Sequence, residues 1–111
     1  MANLTLNVKK KWFDMILSGE KKEEYREIKK SYLNKFCVKN HYSFEVEMLH
    51  HAINYFPDTV TFLNGMKPLT PTIIIECKGI TVGNAVSEWS DNWQGEVFII
   101  KLGEIISTKN I

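Results

Sequence analysis

Gly19-Glu20-Lys21-Lys22-Glu23-Glu24-Tyr25-Arg26 is where the chain changes period. Ahead of it, Phe13, Ile16 and Leu17 fall at i, i+3 and i+4, and Trp12 and Ile16 are four apart. That spacing predicts a short amphipathic helix, ended by Gly19 as its C-cap. Within the segment Tyr25 is the only large apolar residue, and Lys21–Arg26 reads as a charged strand. In a strand, Lys22, Glu24 and Arg26 share one face, with Lys21 at its entrance. A carboxylate between two cations can hold an anion or orient an acid or base. A solvated edge strand whose charges prevent aggregation has the same composition.

Working outward, Leu4, Leu6 and Val8 alternate with polar residues and predict a short strand before the helix. Tyr32, Leu33 and Phe36 return to helical spacing. Ser43 is placed to cap a further helix with Glu45 in its first turn, Phe44, Met48, Leu49, Ala52 and Ile53 inward, and Pro57 at its end. The pattern then turns to β. Thr59–Leu63 stops at the turn dipeptide Asn64-Gly65, and Pro68 and Pro71 mark a loop. Thr72–Ile80 predicts a long strand, with Ile73, Ile75 and Cys77 on one face, Ile74, Glu76 and Lys78 on the other, and a bulge or bend at Gly79. Gly83–Trp93 reads as a turn and short helix carrying Trp89. Val97–Leu102 is apolar on both faces except at Lys101, as in a central strand, and Gly103 with Glu104-Ile105-Ile106 extends the sheet around a bend. Strands at both ends with helices between them predict an α+β fold on a small curled sheet or barrel.

The 111 residues suit one domain, 1–111, with one core. The composition is 44% hydrophobic and 24% charged, that of an ordinary soluble protein. No apolar run is long enough to span a bilayer, and the N-terminus lacks the apolar stretch of a signal peptide, so a cytoplasmic protein is expected. Cys37 and Cys77 have no framework spacing and read as reduced thiols. The net charge of +1 is uneven. Residues 1–40 hold ten Lys/Arg against five Asp/Glu, and residues 41–111 hold four against eight. The N-terminal part is thus an anion-facing candidate, though a duplex-DNA binder is usually far more basic.

Gly19-x-Lys21-x-x-Glu24-x-Arg26 fits the GxKxxExR signature of the ASCH domain family, and Phe13-Asp14-Met15-Ile16-Leu17-Ser18 is similar to that family's first helix. Val60–Gly65, Glu76–Ile80 and Phe98–Gly103 are similar to small phage and bacterial members. Residues 33–57 have no counterpart and read as a variable insertion. The resemblance implies a PUA-like fold, a small β-barrel or strongly curled mixed sheet with flanking short helices. It also implies a cleft, lined by the signature residues, that binds RNA or nucleotides. One branch of the family hydrolyses N4-acetylcytidine with a lysine at the position of Lys21 and a threonine three residues on. Glu24 stands at that later position and Lys22 at position 22, so the expected nucleophile is missing.

Lys21, Glu24 and Arg26 are therefore the main ligand-binding candidates, joined by Lys22. Arg26 offers a planar fork of donors, and Glu24 can steady it or accept from a base amino group. Tyr25 points to the other face and reads as core. Glu76 interrupts an isoleucine-rich strand, so it lies at a barrel mouth or in a salt bridge with Lys21 or Arg26. Lys9, in the run Lys9–Lys11, suits backbone phosphates or simple solvation. Trp89 and Trp93 suit base stacking or a partly exposed core. Cys37-x-x-x-His41 and Glu47-x-x-His50-His51 are not zinc spacings, so no metal and no cofactor is expected. The reading is an RNA- or nucleotide-binding domain. Its competitors are a small hydrolase on a modified nucleoside or RNA, with Lys21 and Glu24 as catalytic candidates, and a phage-encoded protein-interaction module. With Lys21 read as exposed, Lys21→Ala is expected to weaken binding and leave the melting temperature nearly unchanged.

Overall fold

The computed structural model describes residues 2–37, 51–91, 93 and 95–111. In chain order the elements are β1 (Asn3–Asn7), α1 (Lys10–Leu17), β2 (Glu23–Arg26), α2 (Lys30–Phe36), β3 (Thr59–Leu63), β4 (Thr72–Gly83), a 3₁₀ turn (Ser87–Trp89) and β5 (Val97–Lys109). The strands form a mixed five-stranded sheet in the order β1-β3-β4-β5-β2, so the α+β expectation holds. Among the described residues no helix is long and apolar enough to cross a membrane. The capped helix predicted from Ser43 lies largely outside the described residues.

The chain groups into two compact units. The first comprises residues 1–22, 57–78 and 102–111. Here β1 runs parallel to β3, and β3 is antiparallel to β4. The register sets Leu4 against Val60 and Val60 against Ile75, then Leu6 against Phe62 and Phe62 against Ile73. All six side chains are buried, so two apolar rows cross three strands. Polar alternation on β1 supplies the opposite face: Asn3 Oδ1 accepts from the hydroxyls of Thr59 and Thr61. Helix α1 buries Trp12, Phe13 and Ile16, the residues whose spacing predicts the helix.

The second unit comprises residues 23–56 and 79–101. β2 pairs antiparallel with β5, placing Glu24 opposite Ile100, Tyr25 opposite Ile99 and Arg26 opposite Phe98. Tyr25, Val97 and Ile99 form a buried cluster against which Ala85 and Trp89 pack. Phe36 is fully buried, stacked 5.6 Å from Tyr32 and 5.9 Å from Tyr55, with Phe98 meeting it edge-on at 5.1 Å. Gly79 has φ +129°, the bend expected within β4, and Gly65 has φ +126° at the turn after β3.

Tyr25 gives this unit a pH dependence. Its hydroxyl donates to Glu23 Oε1 at 2.7 Å and accepts from the Val86 amide at 3.0 Å. Burial raises its pKa well above the ordinary tyrosine value, and the Glu23 hydrogen bond and the Glu23 and Glu24 charges add to the rise against the opposing Val86 amide. The folded protein thus keeps a proton that the unfolded chain releases near pH 10. The resulting stability is complete below about pH 10 and is lost as pH climbs toward the folded value. In a difference titration at 295 nm between wild type and Tyr25→Phe, the missing step should lie above about pH 10. A missing step at the ordinary tyrosine position would contradict this. Tyr25→Phe should also cost about 1–2 kcal/mol, because the Val86 amide loses its acceptor.

Candidate functional site

The site in the first unit begins at the end of α1. Ser18 closes the helix, its amide donating to the Asp14 carbonyl at 3.0 Å. Gly19 then takes φ +85°, a left-handed conformation that glycine adopts without a Cβ penalty. The turn brings the Lys21 amide back to the Met15 carbonyl at 3.0 Å. Lys21 is thereby folded under the helix end and left 1% exposed. Its ammonium lies 5.0 Å from the centroid of the Trp12 ring, which Lys11 also approaches at 4.5 Å. Such contacts are worth about 0.5–2 kcal/mol, more as water is excluded.

These positions correct two expectations. The charged strand does not start at Lys21: β2 begins at Glu23, and the Gly19 turn occupies the residues before it. Lys21 is not an exposed charge at a strand entrance, because the turn after α1 draws it inward and leaves it buried. Lys22 is exposed and precedes β2, whereas Glu24 and Arg26 lie within it. Its ammonium turns back toward Gly19, 3.7 Å from where a Cβ would stand there. That places positive charge by the carbonyl end of α1, where the helix dipole favours it.

Lys21 and Lys22 line a cavity of about 230 Å³. Ile16, Leu17, Ile75 and Ile105 give it apolar walls, and Ser18, Gly19, Gly103 and Glu104 complete its rim. Beside the rim, Glu76 Oε1 accepts from Lys78 at 3.2 Å and from the Glu104 amide at 3.3 Å. The Lys78 hydrogen bond, then the Glu104 amide and the Lys78 charge, hold the Glu76 carboxyl below its ordinary pKa. Glu76 is therefore in an ion pair, with Lys78 rather than with the expected Lys21 or Arg26. Gly103 makes room for that pair, since a Cβ there would meet the Glu76 carboxylate and the Lys78 stem.

In the second unit Arg26 Nη2 donates to Glu24 Oε2 at 3.0 Å, so these two residues do share a strand face. Glu24 is 6% exposed. Its cross-strand neighbour Ile100 and the neighbouring Phe98 are fully buried, which explains why the carboxylate is paired rather than solvated. Arg26 also lies 6.0 Å from the Tyr32 ring. Trp89 is half-buried against the Tyr25 cluster, whereas Trp93 is 37% exposed. Lys9 is exposed ahead of α1. Cys37 is buried, and burial raises its thiol pKa. His41, Glu47 and His50 lie outside the described residues.

Trp12, Ile75 and Ile105 are not singled out by sequence reasoning as parts of a site. Trp12 carries the helical periodicity, and Ile75 and Ile105 continue strand patterns, so each reads as packing. No family model matches the chain, and no curated protein or solved structure matches it either.

Proposed function

We propose that the cavity beside the end of α1 binds a nucleotide or an RNA nucleotide, in keeping with the resemblance of the Gly19–Arg26 segment to the ASCH signature. The observation that carries this reading is a buried lysine, Lys21, lining a cavity of about 230 Å³ with a second lysine at its rim. Four aliphatic side chains suit the faces of a flat base. The two ammonium groups suit carbonyl oxygens or a phosphate. The carbonyl end of α1 and Glu104 suit amino hydrogens. A ligand with flat apolar faces and an edge of mixed donors and acceptors answers all three. Glu24 and Arg26 are consistent with the same ligand class, since Arg26 presents donors from a paired, oriented guanidinium.

Binding is read by calorimetric titration with CMP, UMP, AMP and GMP at two salt concentrations. At least one should bind, more weakly at high salt, with a shallow dependence because few phosphates are engaged. Lys22→Ala should weaken that binding roughly ten- to a hundredfold, in line with about 1.5–3 kcal/mol for a charge-assisted hydrogen bond, without altering the fold at its exposed position. Failure of all four to bind at low salt, or wild-type affinity in Lys22→Ala, would remove the cavity as a nucleotide site.

A further inference from the structure

A second surface, in the other unit, has a different construction. Helix α2 contains no acidic residue, while Lys29, Lys30 and Lys35 are exposed on or beside it. Lys29, Tyr32 and Phe36 fall at i, i+3 and i+7 and so share one face. The Tyr32 ring is half-exposed and has Phe36 stacked at 5.6 Å, with Phe36 in turn stacked on Tyr55. The row cannot retreat when Tyr32 is loaded, because Phe36 is fully buried and braced edge-on by Phe98. Around Tyr32 stand the Lys29 ammonium, 5.6 Å from the ring centroid, and the Arg26 guanidinium, at 6.0 Å. Arg26 is held in place by Glu24 at 3.0 Å.

We infer that this face of α2 is a stacking platform for single-stranded nucleic acid, with Tyr32 taking a base and Lys29 and Lys35 the adjoining phosphates. Several features favour such a strand over an acidic peptide. A peptide carboxylate needs only the cations, whereas here a rigid, backed aromatic ring lies among them. A base arriving over Tyr32 meets the exposed Lys29 side chain, whose long stem lets the ammonium swing to the phosphate beside that base. Stacking is indifferent to base identity because every base has a π-face, so the platform should take RNA and DNA strands alike. The inference rests on the nucleic-acid reading above for its ligand class, but it uses none of the cavity residues.

The test uses fluorescein-labelled ten-nucleotide oligo(rU) and oligo(dT), followed by anisotropy, with unlabelled oligoglutamate as competitor. Tyr32→Leu keeps an apolar side chain against Phe36 but removes the flat ring. It should weaken both oligonucleotides by roughly tenfold, the effect of losing one stacked base. A Lys29→Gln/Lys35→Gln double variant, changed only at exposed positions, should flatten the salt dependence by about one to two phosphate contacts. Mononucleotide binding should stay at the wild-type level in all these variants. Wild-type affinity of Tyr32→Leu for both oligonucleotides would overturn the inference, as would oligoglutamate competing as well as unlabelled oligo(rU). If mononucleotides fail to bind while oligonucleotide binding still depends on Tyr32, the cavity reading falls and the platform stands. The converse pattern removes the platform and leaves the cavity.

Discussion

Lys21→Ala is expected to destabilise the protein by about 2–4 kcal/mol, the range for truncating a long buried side chain to a methyl group. The melting temperature should fall by roughly 8–16 °C, taking about 4 °C per kcal/mol for a domain of this size. The reason is the 1% exposure of Lys21. Its four-carbon stem fills space beneath the end of α1, and its ammonium contributes the 5.0 Å contact with Trp12. Surface-charge arithmetic, which predicts almost no change, does not apply to a buried side chain. Lys21→Met separates packing from charge. Its unbranched side chain has nearly the same reach, so it should lose less stability than Lys21→Ala does. It removes the ammonium, however, and nucleotide affinity should drop at least tenfold, the value of a charge-assisted hydrogen bond. Thermal melts and nucleotide titrations of both variants decide the matter. Equal destabilisation by Met and Ala would make the charge itself structural. Unimpaired binding by Lys21→Met would show that the ligand does not reach Lys21.

Phe36→Ala should have the larger effect on stability, about 3–5 kcal/mol. Phe36 is 0% exposed and touches three other rings, so truncation opens a cavity where Tyr32, Tyr55 and Phe98 meet it. Aromatic pairs add about 0.5–1.5 kcal/mol each beyond buried area, and all three are lost together. Phe36→Leu retains most of the volume and should fall between wild type and Ala. Urea denaturation followed by circular dichroism measures the series. A loss below about 1 kcal/mol in Phe36→Ala would show that the neighbouring rings close the gap and that Phe36 is not the brace of this unit. The same outcome would weaken the stacking platform, whose rigidity depends on that brace.

In the Gly19–Arg26 segment much follows from local geometry alone. Glu24 and Arg26 were placed on one face by the period of a strand, and they meet at 3.0 Å. Tyr25 was assigned to the opposite face, and it is buried against Val97 and Ile99. Gly19 was read as a cap, and its φ of +85° is the conformation a cap of that kind requires. Strand β3 was bounded correctly by its β-rich residues and the Asn64-Gly65 turn. Lys21 departs from expectation because lysine is ordinarily exposed, and nothing in a linear pattern reveals that a helix end will fold over it. Glu76 pairs with Lys78, not with either partner weighed for a salt bridge, for a related reason. Lys78, two residues along on the same strand face, is close by strand geometry alone, whereas Lys21 and Arg26 would have had to be brought there by folding.

What the amino-acid sequence determined by itself was therefore local: where periods change, which residues face inward, where a glycine must turn the chain, and the α+β class. Each of these depends on neighbours a few residues apart, and such neighbours are set by backbone geometry. The tertiary structure alone decided the parallel pairing of β1 with β3, the burial of Lys21 beside Trp12, the assembly of a cavity from α1, β4 and β5, and the ring row behind Tyr32. These features join residues up to about ninety positions apart in the chain, as Ile16 and Ile105 are in the cavity wall. Their proximity comes from strand pairing and packing of the whole sheet, a free-energy balance that no short window of sequence contains.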